Sequence, residues 1–469
     1  MRRFIAAVAG LAVAAPALAA DPPLQLTKEQ TRVVERLTER ALADTTAYEI
    51  TESLTTEIGP RLGGSEAEAR ARAWGVRMLK SLGFKNIRIE TYDMPAWSRV
   101  SESAEIVSPF PQKLAATALG NSVSTPPEGL TAEVARFPSL EALRAAPMTG
   151  LEGKIVFVDE PMARTQDGSG YGVAVAKRSG AAVEAGKRGA AAAIIRSVGT
   201  DSHRNPHAGN MNYGDAATKV PTAALSNPDA DQLARALARS RSVTVRLKIE
   251  TGVEANATSG NVIGEIPGRT NEIIVIGGHL DSWDLGTGAV DDAAGIGITA
   301  AAAKLLADTI GKPRRTIRVV MWGAEEVGLH GARAYAERHK ADLPRHALAG
   351  ESDFGAGRVW RFRSNFGADA LPKAAAIAAA LKPLGVGPGD NAASGGADIG
   401  PLRTAGVPVF ELSQDGLDYF DLHHTPDDTM DKIDPEALKQ NVAAWAVTLY
   451  LASELPGGFR SEPATAAAN

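Results

Sequence analysis

The sequence predicts an α/β fold: a mostly parallel mixed sheet flanked by helices, carrying a smaller inserted α/β domain. Three observations lead there. Short β-branched runs such as EIIVI (272–276) and TIRVV (316–320) read as buried strands. They alternate with helical segments long enough for crossover connections, which implies parallel pairing. Between residues 130 and 250 the texture changes, and the chain of 469 residues exceeds one ordinary domain.

The elements follow in order. Arg2 and Arg3 precede the apolar run FIAAVAGLAVAA, and ALAA ends at Ala20, so residues 1–20 read as a bacterial signal peptide. The mature protein would start near Ala20 or Asp21 and be secreted or periplasmic. Residues 28–57 predict a helix, with apolar spacing through Val33, Leu37 and Ala41. GPRLGGS breaks it. Ser65 then caps a second helix, with Glu68 completing a capping box, to about Leu82. NIRIETYDM is a strand, and Pro109, Pro111, Pro126 and Pro127 mark a transition. GKIVFVDE, the end of GAAVEAGKRGAAAAIIRS and VTVRLKIE supply strands of the inserted block, 130–250. Residues 21–129 and 251–458 form the main domain. Its second part alternates strand EIIVIGG, helix DAAGIGITAAAAKLLAD, strand TIRVVMWG and helix GARAYAERHK, and closes with the helix PEALKQNVAAWAVTLYLASEL. Residues 459–469 form a flexible tail.

Composition excludes several functions. Hydrophobic residues make up 44% and charged residues 22%, enough for a sizeable core. A net charge of -5 gives no footprint for nucleic acid. Past the N-terminus no uninterrupted apolar run reaches the ~18 residues of a membrane span. There is no cysteine, so any metal must be held by His, Asp and Glu.

In an open parallel sheet, sites lie beyond the carboxyl ends of the strands. GGHLDSWDLGTGAVDD (277–292) places His279, Asp281 and Asp291 after one strand, and MWGAEEVG places Glu325 and Glu326 after another. LAGESDFGAG adds Asp353, and DLHHTPDDTMDKID adds His423 and His424. Singly, each has a bland reading: a surface turn, a solvated helix start, an Asx-rich turn. Together they offer the imidazole and carboxylate donors that suit zinc. Two zinc ions about 3.5–4 Å apart need one carboxylate reaching both. Adjacent acids at a strand end diverge, so one of Glu325 and Glu326 can bind metal while the other faces substrate. His203 and His207, in TDSHRNPHAGN, read as a surface loop.

These segments resemble a known motif set. GGHLDSWDLGTGAVDDAAG, MWGAEEVGLHGA, ESDFG and HHTPDDTMDKIDP are similar to those of the co-catalytic dizinc exopeptidases related to aminopeptidase Y, in particular their carboxypeptidase Q branch. LGNSVSTPPEGLTAEV, GAAVEAGKRGAAAAIIRSVGT and KVPTAALS resemble the protease-associated domain of that branch and the segment ahead of it. The resemblance spans roughly 28–455. It implies that His279 and Asp353 ligate one zinc, Glu326 and His424 the other, that Asp291 bridges them, and that Glu325 is the general base. His424 is selected because the family's ligand precedes Thr or Ser, with His423 the alternative. Asp281 would support catalysis by accepting from the far ring nitrogen of His279. The Asp291–Asp292 peptide would be cis.

The expected function is therefore exopeptidase hydrolysis, with dipeptides as substrates, two zinc ions as cofactor and a homodimeric state implied by the resemblance. Asp398, in SGGADIGPLRTAGVPVFELSQ, is a candidate for shaping the substrate pocket. Two alternatives compete: a single-zinc acyltransferase of the glutaminyl-cyclase type, and a non-catalytic, receptor-like binding protein.

Overall fold

A 14-stranded sheet runs through the described residues, 24–460, of the computed structural model. The expected signal peptide and residues 461–469 of the expected tail lie outside them. In the main part the strands Val409–Gln414, His346–Glu351, Ile273–His279 and Thr316–Trp322 pair in parallel. Val359–Asn365 and Thr244–Ile266 flank them antiparallel, so the sheet is mixed and mostly parallel at its centre. Ile273–His279 is buried along its whole length, which its run of β-branched residues anticipates.

The helix Ala294–Ile310 is apolar nearly all round because it lies inside the protein. It packs on the sheet on one side and against Lys28–Leu42, Thr46–Glu57 and Pro435–Glu454 on the other.

Two long antiparallel strands, Lys85–Ser108 and Thr244–Ile266, form a ribbon that joins this part to a second set of strands. There Leu130–Phe137, Ile155–Val158, Ala192–Arg196 and Thr222–Leu225 run parallel. Thr244–Ile266 crosses residue 250 unbroken, and Ala116–Ala118 pairs with Thr222–Leu225, so strand pairing extends past both expected limits of the insertion. The block has an apolar centre around Val156, Ile195 and Ala224, and a second, around Phe157, Ile194 and Leu225, that it shares with Leu62, Trp97 and Trp283.

Local chemistry explains two departures from the sequence reading. The helix expected over 28–57 is two helices, Lys28–Leu42 and Thr46–Glu57. Between them the Asp44 carboxylate accepts from the Thr46 amide at 2.7 Å and starts a new helix. The capping box at Ser65 is only half made. Ser65 Oγ accepts from the Glu68 amide, but the Glu68 carboxylate accepts instead from the Gly64 amide, Arg72 and Ser259.

Candidate metal centre

Sheet register brings the expected site residues to one edge. His279 ends its strand opposite Trp322, and Glu351 pairs with Gly277. Glu325 and Glu326 therefore leave one neighbouring strand, and Asp353 the other, at the same carboxyl end.

The loop after His279 is held by buried polar groups. Asp292 accepts from the His279 amide at 3.0 Å and the Gly295 amide at 3.1 Å. Glycine is required around it: a Cβ on Gly278 would stand 2.3 Å from Asp292 Oδ2, and one on Gly295 1.9 Å from the Ser352 oxygen. Asp428 accepts from the Val290 amide at 2.6 Å and the Asp291 amide at 3.3 Å. The fully buried Arg61 donates to the main-chain oxygens of Gly59, Leu280, Thr287 and Gly288. Sequence reasoning missed both Arg61 and Asp428. The only signal was an arginine in a glycine-rich break and a second aspartate in PDD. The Asp291–Asp292 peptide is cis, as the resemblance implies.

Asp291 stands between two groups of donors. Its Oδ1 is 3.1 Å from His279 Nε2, which is also 3.4 Å from Asp353 Oδ1. Its Oδ2 is 3.3 Å from His424 Nε2, which is 2.9 Å from Glu326 Oε2. Donor atoms at 2.0–2.2 Å from a tetrahedral ion lie about 3.3–3.6 Å apart. The observed spacings match that range to within a few tenths of an ångström. Asp291 Oδ2 and Glu326 Oε1 are buried with no hydrogen-bond partner among the described residues. His423 Nε2 is farther from Asp291, at 3.7 Å, and its ring stacks on His424.

Electrostatics point the same way. Burial, reinforced by neighbouring carboxylates, pushes Glu325 and Glu326 well above the usual carboxylate range. Burial likewise raises Asp428 to about 7 and Asp281 to about 6. Burial opposes a charged His279, yet Asp353 and Asp291 outweigh it and lift that imidazole well above its ordinary value. Such crowding of acid groups calls for cations, and the imidazole and carboxylate donors fit zinc.

Three expectations need correction. The far nitrogen of His279, Nδ1, bonds the main-chain oxygen of Asp281 at 2.9 Å, while the Asp281 carboxylate is 3.9 Å away. That carboxylate instead accepts from the Glu325 and Glu326 amides, at 2.9 and 3.3 Å, and so fixes the turn that presents both acids. Asp398 is fully buried and cannot line a substrate pocket; its amide donates to Glu351. His203 is exposed, as expected of a surface loop, but His207 is fully buried against Asp201 and the His423 main-chain oxygen.

A cavity of about 350 Å³ opens on these groups, lined also by Tyr171, Arg178, Asn210 and Tyr419. Glu325 faces it, partly buried, with its carboxylate free of hydrogen bonds to the described residues. Tyr171, Arg178 and Asn210 belong to the 130–250 block, so that block walls the cavity.

Residues 261–449 match the model of peptidase family M28. The chain is 36% identical to carboxypeptidase Q of Bos taurus over 89% of its length and 88% of the relative's. The human carboxypeptidase Q is 34% identical over 88% and 86%. A solved peptidase M28 precursor from Shewanella amazonensis superposes with a TM-score of 0.90 at 46% identity, covering 93% of this chain and 99% of that one. A zinc aminopeptidase from Bacillus subtilis shares the fold, with a TM-score of 0.65 at 20% identity over 87% and 95%.

Proposed function

Because the chain belongs to peptidase family M28, we propose that it is a zinc exopeptidase that cleaves dipeptides outside the cytoplasm with two zinc ions per chain. The observation that carries this reading is the split of Asp291, whose two carboxylate oxygens face His279 on one side and His424 on the other, at 3.1 and 3.3 Å. His279 and Asp353 would hold one zinc, Glu326 and His424 the other, and Asp291 both. The ions supply Lewis-acid activation of water and of the scissile carbonyl.

The chain's own groups do the rest. The Asp281 main-chain oxygen accepts a hydrogen bond from His279 Nδ1–H and so keeps the proton on Nδ1, which leaves Nε2 free to ligate. The Ala208 main-chain oxygen, 3.2 Å from His424 Nδ1, does the same for His424. Glu325 accepts the proton of the attacking water and later delivers it to the leaving amine. Burial and the acids around Glu325 raise its proton affinity, the direction that suits a group that accepts a proton. We read residues 130–250 as a protease-associated domain that limits the cavity to short substrates.

A dipeptide panel assayed with metal analysis, before and after chelation, tests the reading. The expected outcome is about two zinc ions per chain, hydrolysis lost on chelation and restored by zinc. One zinc per chain would favour the acyltransferase alternative, and binding without hydrolysis the receptor-like one.

A further inference from the structure

We propose that Asn261 is a positioning residue for the reaction: its side-chain amide staples together the two ends of the loop that carries Glu325 and Glu326, and this closure aims the Glu325 carboxylate. The inference rests on the peptidase reading above and adds a residue that bonds neither a metal ligand nor the substrate.

Asn261 is fully buried in the strand Thr244–Ile266, where its neighbour Val262 pairs with Met321 near the end of Thr316–Trp322. The chain leaves that end at Gly323, passes Glu325 and Glu326, and enters the helix His330–Arg338, whose second residue is Gly331. Asn261 Oδ1 accepts from the Gly323 amide at 3.0 Å, and Asn261 Nδ2 donates to the Gly331 main-chain oxygen at 2.9 Å. The Gly331 amide donates to the Gly323 oxygen at 3.0 Å, so three hydrogen bonds close a ring through one side-chain amide. Such a ring needs one donor and one acceptor on a single short side chain, which asparagine supplies. Both glycines are sterically required. A Cβ on Gly331 would stand 2.3 Å from Asn261 Oδ1, and one on Gly323 2.6 Å from the Gly260 oxygen. The Tyr92 hydroxyl adds a bond to the Gly323 oxygen at 2.6 Å.

The loop needs that closure. Ala324 and Leu329 have φ of +53° and +57°, the left-handed region in which a Cβ is unfavourable. The two acids between them depend on the staple unequally. Glu326 gains a second anchor when zinc binds its carboxylate. The Glu325 carboxylate bonds none of the described residues, so its direction comes from its backbone. Asp281 holds the Glu325 amide from inside the turn, and Asn261 fixes the two ends. A misplacement of about 1 Å at a reacting group can cost about 100-fold in rate. Loss of the staple should therefore reach proton transfer before it reaches the metal.

The test uses zinc-loaded full-length protein and a dipeptide that the wild type hydrolyses, with N261A made alone and on the E325Q background. N261A should keep the wild-type zinc content and a KM within about threefold, and lose about 100-fold in kcat. On E325Q, where the proton carrier is already gone, adding N261A should change kcat by less than about threefold, because two changes that act through one group are not additive. An unchanged kcat in N261A would overturn the proposal. Loss of zinc would overturn it too, making Asn261 a support of Glu326, and so would an equal fall on both backgrounds, the mark of a merely structural residue. Y92F removes one bond at the Gly323 oxygen and leaves the ring. It should lower kcat by a smaller factor with the same dependence on Glu325, and it decides by the same criteria if N261A does not fold. A wild type that hydrolyses no dipeptide would remove the peptidase reading and the staple's role together, whereas the other outcomes leave that reading standing.

Discussion

His207 Nδ1 lies 2.7 Å from the main-chain oxygen of His423, the residue before the candidate ligand His424, while its Nε2 lies 2.8 Å from Asp201. The inserted block thus grips the ligand loop. It does so at further points, because the Ala208 amide donates to the His424 oxygen at 2.9 Å and the Thr200 amide to the Phe420 oxygen at 3.0 Å. Groups that support ligands in this way typically alter metal affinity by about 10–100-fold. H207L should therefore lose zinc to a competing chelator at lower chelator concentration than wild type. Identical zinc retention would mean that the loop holds itself.

Glu325 is expected to move protons and Glu326 to hold metal. E325Q should retain the wild-type zinc content and lose about two to four decades of kcat. A fall in both zinc content and kcat would exchange the roles of the two glutamates.

The adjacent histidines can be separated the same way. His424 Nε2 stands 2.9 Å from Glu326 and 3.3 Å from Asp291, while His423 Nε2 is 3.7 Å from Asp291 alone. H424A should bind one zinc fewer per chain, and H423A the full complement. The reverse pattern would reassign the ligand.

Much of this was legible beforehand, for a physical reason. Ligand chemistry restricts residue types, and strand ends are visible in hydrophobic runs, so His279, Asp291, Glu325, Glu326 and Asp353 stand out. Arg61, Asp428 and His207 do not. They work through main-chain groups of distant segments, and nothing in the local sequence of an arginine shows that its guanidinium will meet the oxygens of Leu280 and Gly288. Asp281 stands out as well, but its partner does not. His-x-Asp spacing suggests a side-chain contact, whereas the turn lets the main-chain oxygen reach the imidazole first.

Arg61 makes a stability prediction. Burial lowers its pKa to about 10, so it is still charged at neutral pH, and its donors satisfy four main-chain oxygens. R61M would fill similar volume and leave those oxygens unpaired. Charged hydrogen bonds and stranded buried acceptors both weigh against the variant, by about 3 kcal/mol or more. Urea unfolding of the zinc-free proteins should register this as a lower midpoint. A shift under about 0.5 kcal/mol, the range of ordinary surface changes, would deny the arginine its role.

His346 links stability to pH away from the metal centre. It is fully buried, with Nε2 2.8 Å from the Tyr335 hydroxyl and Nδ1 3.0 Å from the Asp342 main-chain oxygen. Burial drags its pKa down to about 4; Arg318 and His339 add to this and the Asp342 contact opposes it. An unfolded histidine titrates near 6.5, so between about pH 6.5 and pH 4 the unfolded chain binds a proton that the folded one refuses. The contribution of His346 is complete above that window and declines as pH falls through it, by roughly 3 kcal/mol at most. H346Q keeps a hydrogen-bonding side chain beside Tyr335 but has no imidazole to protonate. It should be less stable than wild type at pH 7, and the difference should shrink by about 2 kcal/mol at pH 5, measured by urea unfolding after chelation. Parallel stability curves for the two proteins would place the acid sensitivity elsewhere, with Glu90 next in line: burial opposes its charged form, but His339 and Arg88 hold its pKa at about 2, so its contribution would fade only below pH 4.5.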